Sequence, residues 1–297
     1  MLGLELRDNL AVAVGIDEQG SVQARAAVPS NGSLAVAAAA ALERVAQPST
    51  AALRRLGIAA LAPESPECRD AVDSLAARWA GPFVRDGAMM SGTASAVAEA
   101  WVGAARGVRD VVFFAAAEHA TGGIVRSGVP VMGAHHRGPA VAWLALNPVE
   151  REDYRRGGCL EAEVSAAGLV KRLIWRIKAG DRSRVQDLVG GDLSMITAEL
   201  VLDAARQNDG VSISVVRDTA KYLGMAAANL VAMTDPDTIV LGGIMSSSAD
   251  LLFEPVRIEI GRRLPPALLQ TVAIVRASLG DDAAAIGAAR LVTAALQ

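Results

Sequence analysis

The 297 residues carry 29 basic and 32 acidic side chains, a net charge of −3, with no concentrated basic stretch; this argues against nucleic acid as a partner, because phosphate binding needs a positive surface. Hydrophobic residues make up 52% and aromatics 3%, so the core is built from Ala, Val, Leu and Ile and is large enough for two lobes. Cys68 and Cys159 are too few for a disulfide framework, residues 1–5 lack the features of a signal peptide, and apolar runs such as 34–42 fall short of the roughly 20 residues of a membrane span; a cytoplasmic protein with no membrane partner is expected.

Residues 2–6, 10–16 and 22–28 are apolar or alternating, with Arg7-Asp8-Asn9 and Asp17-Glu18-Gln19-Gly20 between them, which predicts an antiparallel meander of three strands. Ser33 is placed to cap a helix running to Val45, with Pro48 beyond its end. A buried strand over 57–61, an amphipathic helix over 68–79, a short strand at Phe83-Val84 and a helix over 93–105 follow. A second strand set is predicted at 111–114, 122–126 and 141–146, then helices over 161–177, 194–205 and 212–233. Asp235-Pro236 breaks the last of these. Residues 238–241 then read as a buried parallel strand, and Gly242-Gly243 ends it in a turn where backbone can approach a ligand. A helix over 251–264, a strand over 272–275 and a helix over 282–295 close the chain. Strands followed by helices, twice over, suggest a duplicated α/β plan with a ligand cleft between lobes. The first, smaller lobe spans 1–106, with the closing helix 282–297 packing on it, and the second spans 107–281.

Several stretches share an order and spacing across roughly 94–292. They are Ala98-Glu99-Ala100-Trp101-Val102-Gly103, Gly122-Gly123-Ile124-Val125, Gly158-Cys159-Leu160-Glu161, Tyr222-Leu223-Gly224, Asn229-Leu230, the 235–243 stretch, and Leu279-Gly280-Asp281-Asp282 through Ala289. In that order they resemble the ROK family of sugar kinases and sugar-sensing repressors. The resemblance implies a two-lobed actin-like or hexokinase-like (ribonuclease H-like) ATPase fold, with duplicated sheet-and-helix lobes, and a homodimer. In that family a second-lobe Gly-Gly turn approaches adenosine, an amino-terminal hairpin and a Gly-rich loop hold the ATP phosphates, and an Asp between the lobes is the base toward the sugar hydroxyl. Carried over by position, the resemblance implies Glu5, Gly122, Gly123, Gly242 and Gly243 as nucleotide-binding residues and Glu161 as a sugar contact, with Mg-ATP as co-substrate of an active kinase.

Residue by residue, the chemistry departs from that pattern. Phosphoryl transfer needs close-approach amides, a metal-binding acid and a base. The phosphate hairpin reads Glu5-Leu6-Arg7-Asp8-Asn9, without the family's glycines. Asp8 there faces a phosphate-like charge, which at about 4 Å and an effective dielectric of 20 costs about 4 kcal/mol unless metal intervenes. The base position falls on Ser91, so no catalytic residue is assigned; Asp86 lies nearby in sequence. Glu118 replaces a phosphate-donating threonine, and His119 beside it is a lone loop histidine. The family's zinc cysteines align with Glu152 and Tyr154, leaving Cys159 alone, so no zinc is expected. Two readings stay open. One is a degenerate, inactive or weak ROK-like protein that binds a carbohydrate, a nucleotide or a partner. The other is an ATP-dependent sugar kinase of altered substrate, in which Glu5, Asp8 and Glu118 organise Mg²⁺. With the first strand at residue 2 and no basic recognition helix ahead of it, the repressor type is not expected.

Overall fold

The computed structural model describes residues 1–46, 55–78 and 88–294. From the amino end come β1 (Leu2–Leu6), β2 (Leu10–Ile16), β3 (Val22–Pro29), α1 (Leu34–Val45), β4 (Leu56–Ala60), α2 (Pro66–Arg78), β5 (Met89–Met90) and α3 (Ser91–Trp101). β6 (Val111–Ala116), β7 (Ala120–Arg126) and β8 (Val129–Pro130) follow, then α4 (Glu152–Gly157), α5 (Cys159–Val164), α6 (Ala166–Lys178), α7 (Arg184–Leu188), α8 (Ala198–Arg206) and α9 (Gly210–Thr234). The chain ends with β9 (Thr238–Gly243), α10 (Ile244–Ser247), α11 (Ala249–Gly261), α12 (Pro266–Leu269), β10 (Ala273–Arg276) and α13 (Ala283–Ala294). Two five-stranded sheets result, in the orders β3-β2-β1-β4-β5 and β10-β9-β6-β7-β8. No helix among the described residues is long and apolar enough to cross a membrane.

The chain divides into two compact units: residues 1–113, 122–139 and 277–297 form one, and residues 114–121 and 140–276 the other. In the first, the predicted meander is present, with β1 antiparallel to β2 and β2 antiparallel to β3, while β4 runs parallel to β1. Side chains alternate across a strand. Leu2, Leu4 and Leu6 therefore pack with α1 and α2, in a core that includes Ala38, Leu42, Cys68 and Leu75. The intervening positions, Gly3 and Glu5, face the opposite side, where α13 lies on β1 and β4 and against α3. Gly3 pairs with Gly57 across β1 and β4, and both meet α13: a Cβ on Gly3 would stand 2.7 Å from the Ala285 carbonyl carbon, and one on Gly57 2.5 Å from that of Ala288. Two side chains that are absent let the helix rest on sheet backbone. Glu99, fully buried on α3, accepts hydrogen bonds from the Ala104 amide (2.7 Å), the Ser278 amide (2.9 Å) and the Leu279 amide (3.0 Å), tying the end of α3 to the segment that leads into α13.

In the second unit, α9 is the central helix, packed on by α5, α6, α8 and α11. Asp209 caps its start by accepting from the Ser212 amide, and Asp235 ends it in the left-handed region at φ 43°, after which Pro236 cannot continue the helix. The buried β9 follows as expected, parallel to β10. Three predicted elements differ. Residues 141–146 form no strand. Val141–Trp143 is a 3-10 turn with only Val141 buried, because strand-forming residues without a neighbouring strand to pair with gain nothing from extending. The helix expected over 161–177 is split at Ser165, which turns extended (ψ 162°) and caps α6 by accepting from the Gly168 amide. The helix expected over 194–205 begins later, at Ala198 behind its Thr197 cap, with a separate 3-10 turn at Leu193–Met195. The predicted strand at Phe83-Val84, Asp86, and the helix ends beyond Arg78 and Ala294 lie outside the described residues.

Candidate functional site

Four of the sequence-derived positions meet in the first unit. The β1–β2 hairpin closes with the Arg7 amide donating to the Leu10 carbonyl at 2.8 Å, leaving Asp8 and Asn9 exposed at its tip. Glu5 precedes it, only 3% exposed, and its carboxylate accepts from Arg7 Nε at 2.8 Å. Arg7 reaches further, donating from Nη2 to the Asp281 carbonyl at 2.8 Å. Burial pushes the Glu5 carboxyl up, and Arg7, with a smaller contribution from Ser91, opposes that rise. Ser91 begins α3 directly after the edge strand β5 and is itself 3% exposed. Its hydroxyl has no hydrogen-bond partner of good geometry among the described residues. The position that the family resemblance assigns to a base is thus a buried, neutral hydroxyl beside a carboxylate already held by arginine.

Gly122 and Gly123 of β7 lie against the start of α3. A Cβ on Gly92 would stand 2.5 Å from the Gly122 amide nitrogen, and one on Gly123 would stand 2.6 Å from the Gly92 carbonyl carbon. Backbone packing alone therefore requires glycine at positions 92 and 123. Thr93 adds a hydrogen bond from Oγ1 to the Gly138 carbonyl at 3.2 Å.

The other predicted residues belong to the second unit. Gly243 ends β9 at φ 61° and leads into α10; a Cβ there would stand 2.6 Å from the Ala116 carbonyl carbon. Glycine at position 243 is thus fixed by strand packing and backbone conformation. Glu161, in the first turn of α5, accepts from the Ala120 amide at 2.6 Å and contacts His119 Nδ1 at 2.9 Å. This carboxylate pins the tip of the β6–β7 hairpin to α5 and orients the imidazole. The pairing was invisible in sequence because His119 and Glu161 stand 42 positions apart, and neither belongs to a short motif with the other.

The residues at the family's zinc positions do not suit that metal. Tyr154 donates its hydroxyl to Glu163, Glu152 pairs with Arg156 at 2.5 Å, and Cys159 contributes the one thiol there. Among the described residues no group of three or more His, Cys, Asp or Glu side chains is arranged to hold a metal ion.

The chain is 30% identical over 200 residues to a glucokinase of Halalkalibacterium halodurans, a match covering 67% of this chain and 60% of that protein. It is 28% identical over 195 residues to a glucokinase of Thermotoga maritima, covering 65% and 61% respectively, so the match spans about three-fifths of the length of these curated relatives. A crystal structure of a ROK family glucokinase from Streptomyces griseus, in complex with glucose and AMPPNP, superposes with a TM-score of 0.81 at 22% identity, covering 98% of both chains. That likeness establishes the two-lobed, actin-like α/β fold. The ROK family model matches residues 70–295, and the chain belongs to the ROK family.

Proposed function

We propose that this chain is a ROK protein that binds a carbohydrate or a nucleotide and transfers phosphate weakly or not at all. The observation that carries this reading is the Glu5–Arg7–Ser91 cluster. A hydroxyl stands at the position where the family resemblance implies a base, and the neighbouring carboxylate, a candidate for organising Mg²⁺, is buried and paired with Arg7. Loss of a positioned base typically costs roughly 10²- to 10⁴-fold in rate. Asp8 and Glu118, exposed at the tips of the two hairpins, put negative charge where phosphate oxygens would be expected. The surviving glycines, Gly122-Gly123 and Gly242-Gly243, are candidates for contact with a nucleotide, and Glu161 for contact with a sugar. The close backbone contacts at Gly123 and Gly243 already account for glycine there without a ligand. Assembly as a homodimer and lobes divided near Gly107 belong to the same reading.

A second reading, an active sugar kinase of altered substrate, is favoured by one feature: His119 is an imidazole oriented by a carboxylate, the arrangement of a positioned general base. Isothermal titration with Mg-ATP and with a hexose panel, run beside a phosphoryl-transfer assay, separates the two. Binding of a hexose or nucleotide without turnover supports the first reading. Turnover that disappears in His119→Ala supports the second, and turnover within about tenfold of a ROK glucokinase assayed in parallel overturns the first.

A further inference from the structure

The second unit carries a cavity of about 710 Å³, bounded by α5, α6, α9 and the segment before α4, that none of the readings above uses. Its size lies within the range of small-molecule sites. Arg151, Lys171 and Arg172 line it, and their acidic partners are two: Arg151 and Lys171 share Asp153 (2.6 Å each), while Arg151 and Arg172 share the buried Glu163. Glu163 is fully engaged, since it also takes the Tyr154 hydroxyl. Arg263 lines the same cavity, and both it and Arg262 depend on the single carboxylate of Glu259. The remaining lining cations, Arg176 and Lys221, are paired one to one with Asp181 and Asp218. Among the described residues, the cations thus exceed their carboxylate partners by one in each cluster. A network that served only to hold helices together would be expected to close its charges, because uncompensated like charge works against folding.

Trp175 lies on α6, one turn beyond Lys171 and Arg172, and lines the cavity with 67% of its surface exposed. Tyr222 lies opposite with the Arg172 guanidinium 5.6 Å from its ring centre, and its hydroxyl accepts from Asn147 Nδ2 at 3.4 Å. Guanidinium groups recognise phosphate oxygens in pairs, and an exposed indole offers a flat apolar face to a ring. We propose that this cavity binds a phosphorylated small molecule, its phosphate held by the surplus cations around Arg172 and Arg263 and its ring laid on Trp175. The site is independent of whether the chain transfers phosphate.

The test follows tryptophan emission and binding heat of the full chain during titration with glucose 6-phosphate, adenosine 5′-monophosphate, inorganic phosphate and free glucose. A saturable response to at least one of the two phosphate esters, with none to free glucose, is expected, and the better ester identifies the ring as a sugar or a nucleoside. Arg263→Gln leaves Arg262 on Glu259, and Lys171→Gln leaves Arg151 on Asp153, so both variants keep their buried or shared acid paired. Each is expected to weaken binding by about tenfold or more, the loss of one charge-assisted contact. Trp175→Phe is expected to abolish the optical signal while the binding heat persists. The proposal is overturned if neither ester binds in the millimolar range, if the charge variants bind as the parent does, or if Trp175 emission follows protein concentration and ignores the esters, as burial against a second copy of the chain would produce.

Discussion

Substituting Ser91 by Asp introduces the residue type that the family resemblance implies at this position, and the structure sets what that should cost. Position 91 and Glu5 are each 3% exposed and adjacent, so solvent screens their interaction little. A second carboxylate about 4 Å from the first, at an effective dielectric of 20, is opposed by about 4 kcal/mol, and the single charge of Arg7 can satisfy only one of the two. S91N has nearly the same volume without the charge, so the difference between S91D and S91N isolates electrostatics from packing. The assay is urea denaturation at pH 8 and pH 5, with E5Q and E5Q/S91D completing a double-mutant cycle. At pH 8, S91D should be less stable than S91N by several kcal/mol, and E5Q should recover most of the difference. The penalty should shrink at pH 5, where the pair can hold a proton. The parent protein shares this sign: a Glu5 carboxyl raised by burial makes the folded state the stronger proton binder, so its contribution is fully present below the unfolded value of 4.5 and is lost as pH rises through the folded value. Equal denaturation midpoints for S91D and S91N at pH 8, or no recovery by E5Q, would refute the placement of Ser91 against a buried, ionisable Glu5.

Removing the Glu161 carboxylate in Glu161→Ala should take away the acceptor of the Ala120 amide and the contact to His119 Nδ1, lowering stability by about 1–3 kcal/mol in thermal unfolding and speeding hydrogen exchange across 117–121. Gly243→Ala should destabilise by about 2 kcal/mol or more, because it combines left-handed strain with overpacking against the Ala116 carbonyl; Gly190→Ala, also at positive φ but with open space around it, should show the strain alone. Burial works against ionisation of Asp153, but hydrogen bonds from Lys171 and Arg151 outweigh it and hold its carboxyl down at about 2. Its contribution is therefore present above the unfolded value of 3.8 and lost as pH falls through about 2, so Asp153→Asn should flatten the acid limb of the stability curve there and leave the neutral region's slope unchanged.

The legible parts of this fold are those in which neighbouring residues fix the structure. Ser33 caps α1 through the Val36 amide, Asp235-Pro236 stops α9, and the β-branched run after it forms β9, each a matter of a few consecutive positions. The strand expected over 141–146 does not form because a strand is defined by its neighbour, and nothing in Val141-Ala142-Trp143 records that none pairs with it among the described residues. Glu99 was visible as part of a stretch with Gly103 that resembles the family, yet its acceptor role depends on amides at Ser278 and Leu279, about 180 positions away. Glu5 and Ser91 were each placed by family resemblance, whereas the arginine clamp on Glu5 was not, since Arg7 reads as an ordinary hairpin cation until its reach to the Asp281 carbonyl is known. The cationic cavity around Trp175 escaped notice for a similar reason: its charges come from four separate segments, and a net charge of −3 for the whole chain conceals a local excess.

The most direct measurement is transfer of the γ-phosphate from Mg-ATP to glucose and to a panel of other hexoses, followed by mass spectrometry of the sugar at high protein concentration. With Ser91 where the family resemblance implies a base and Glu5 held by Arg7, sugar phosphate should form at least about 10²-fold more slowly than with a ROK glucokinase assayed in parallel, even where titration detects a bound ligand. Saturable turnover within about tenfold of that enzyme's on any hexose, proportional to protein and retained after purification to homogeneity, would contradict it.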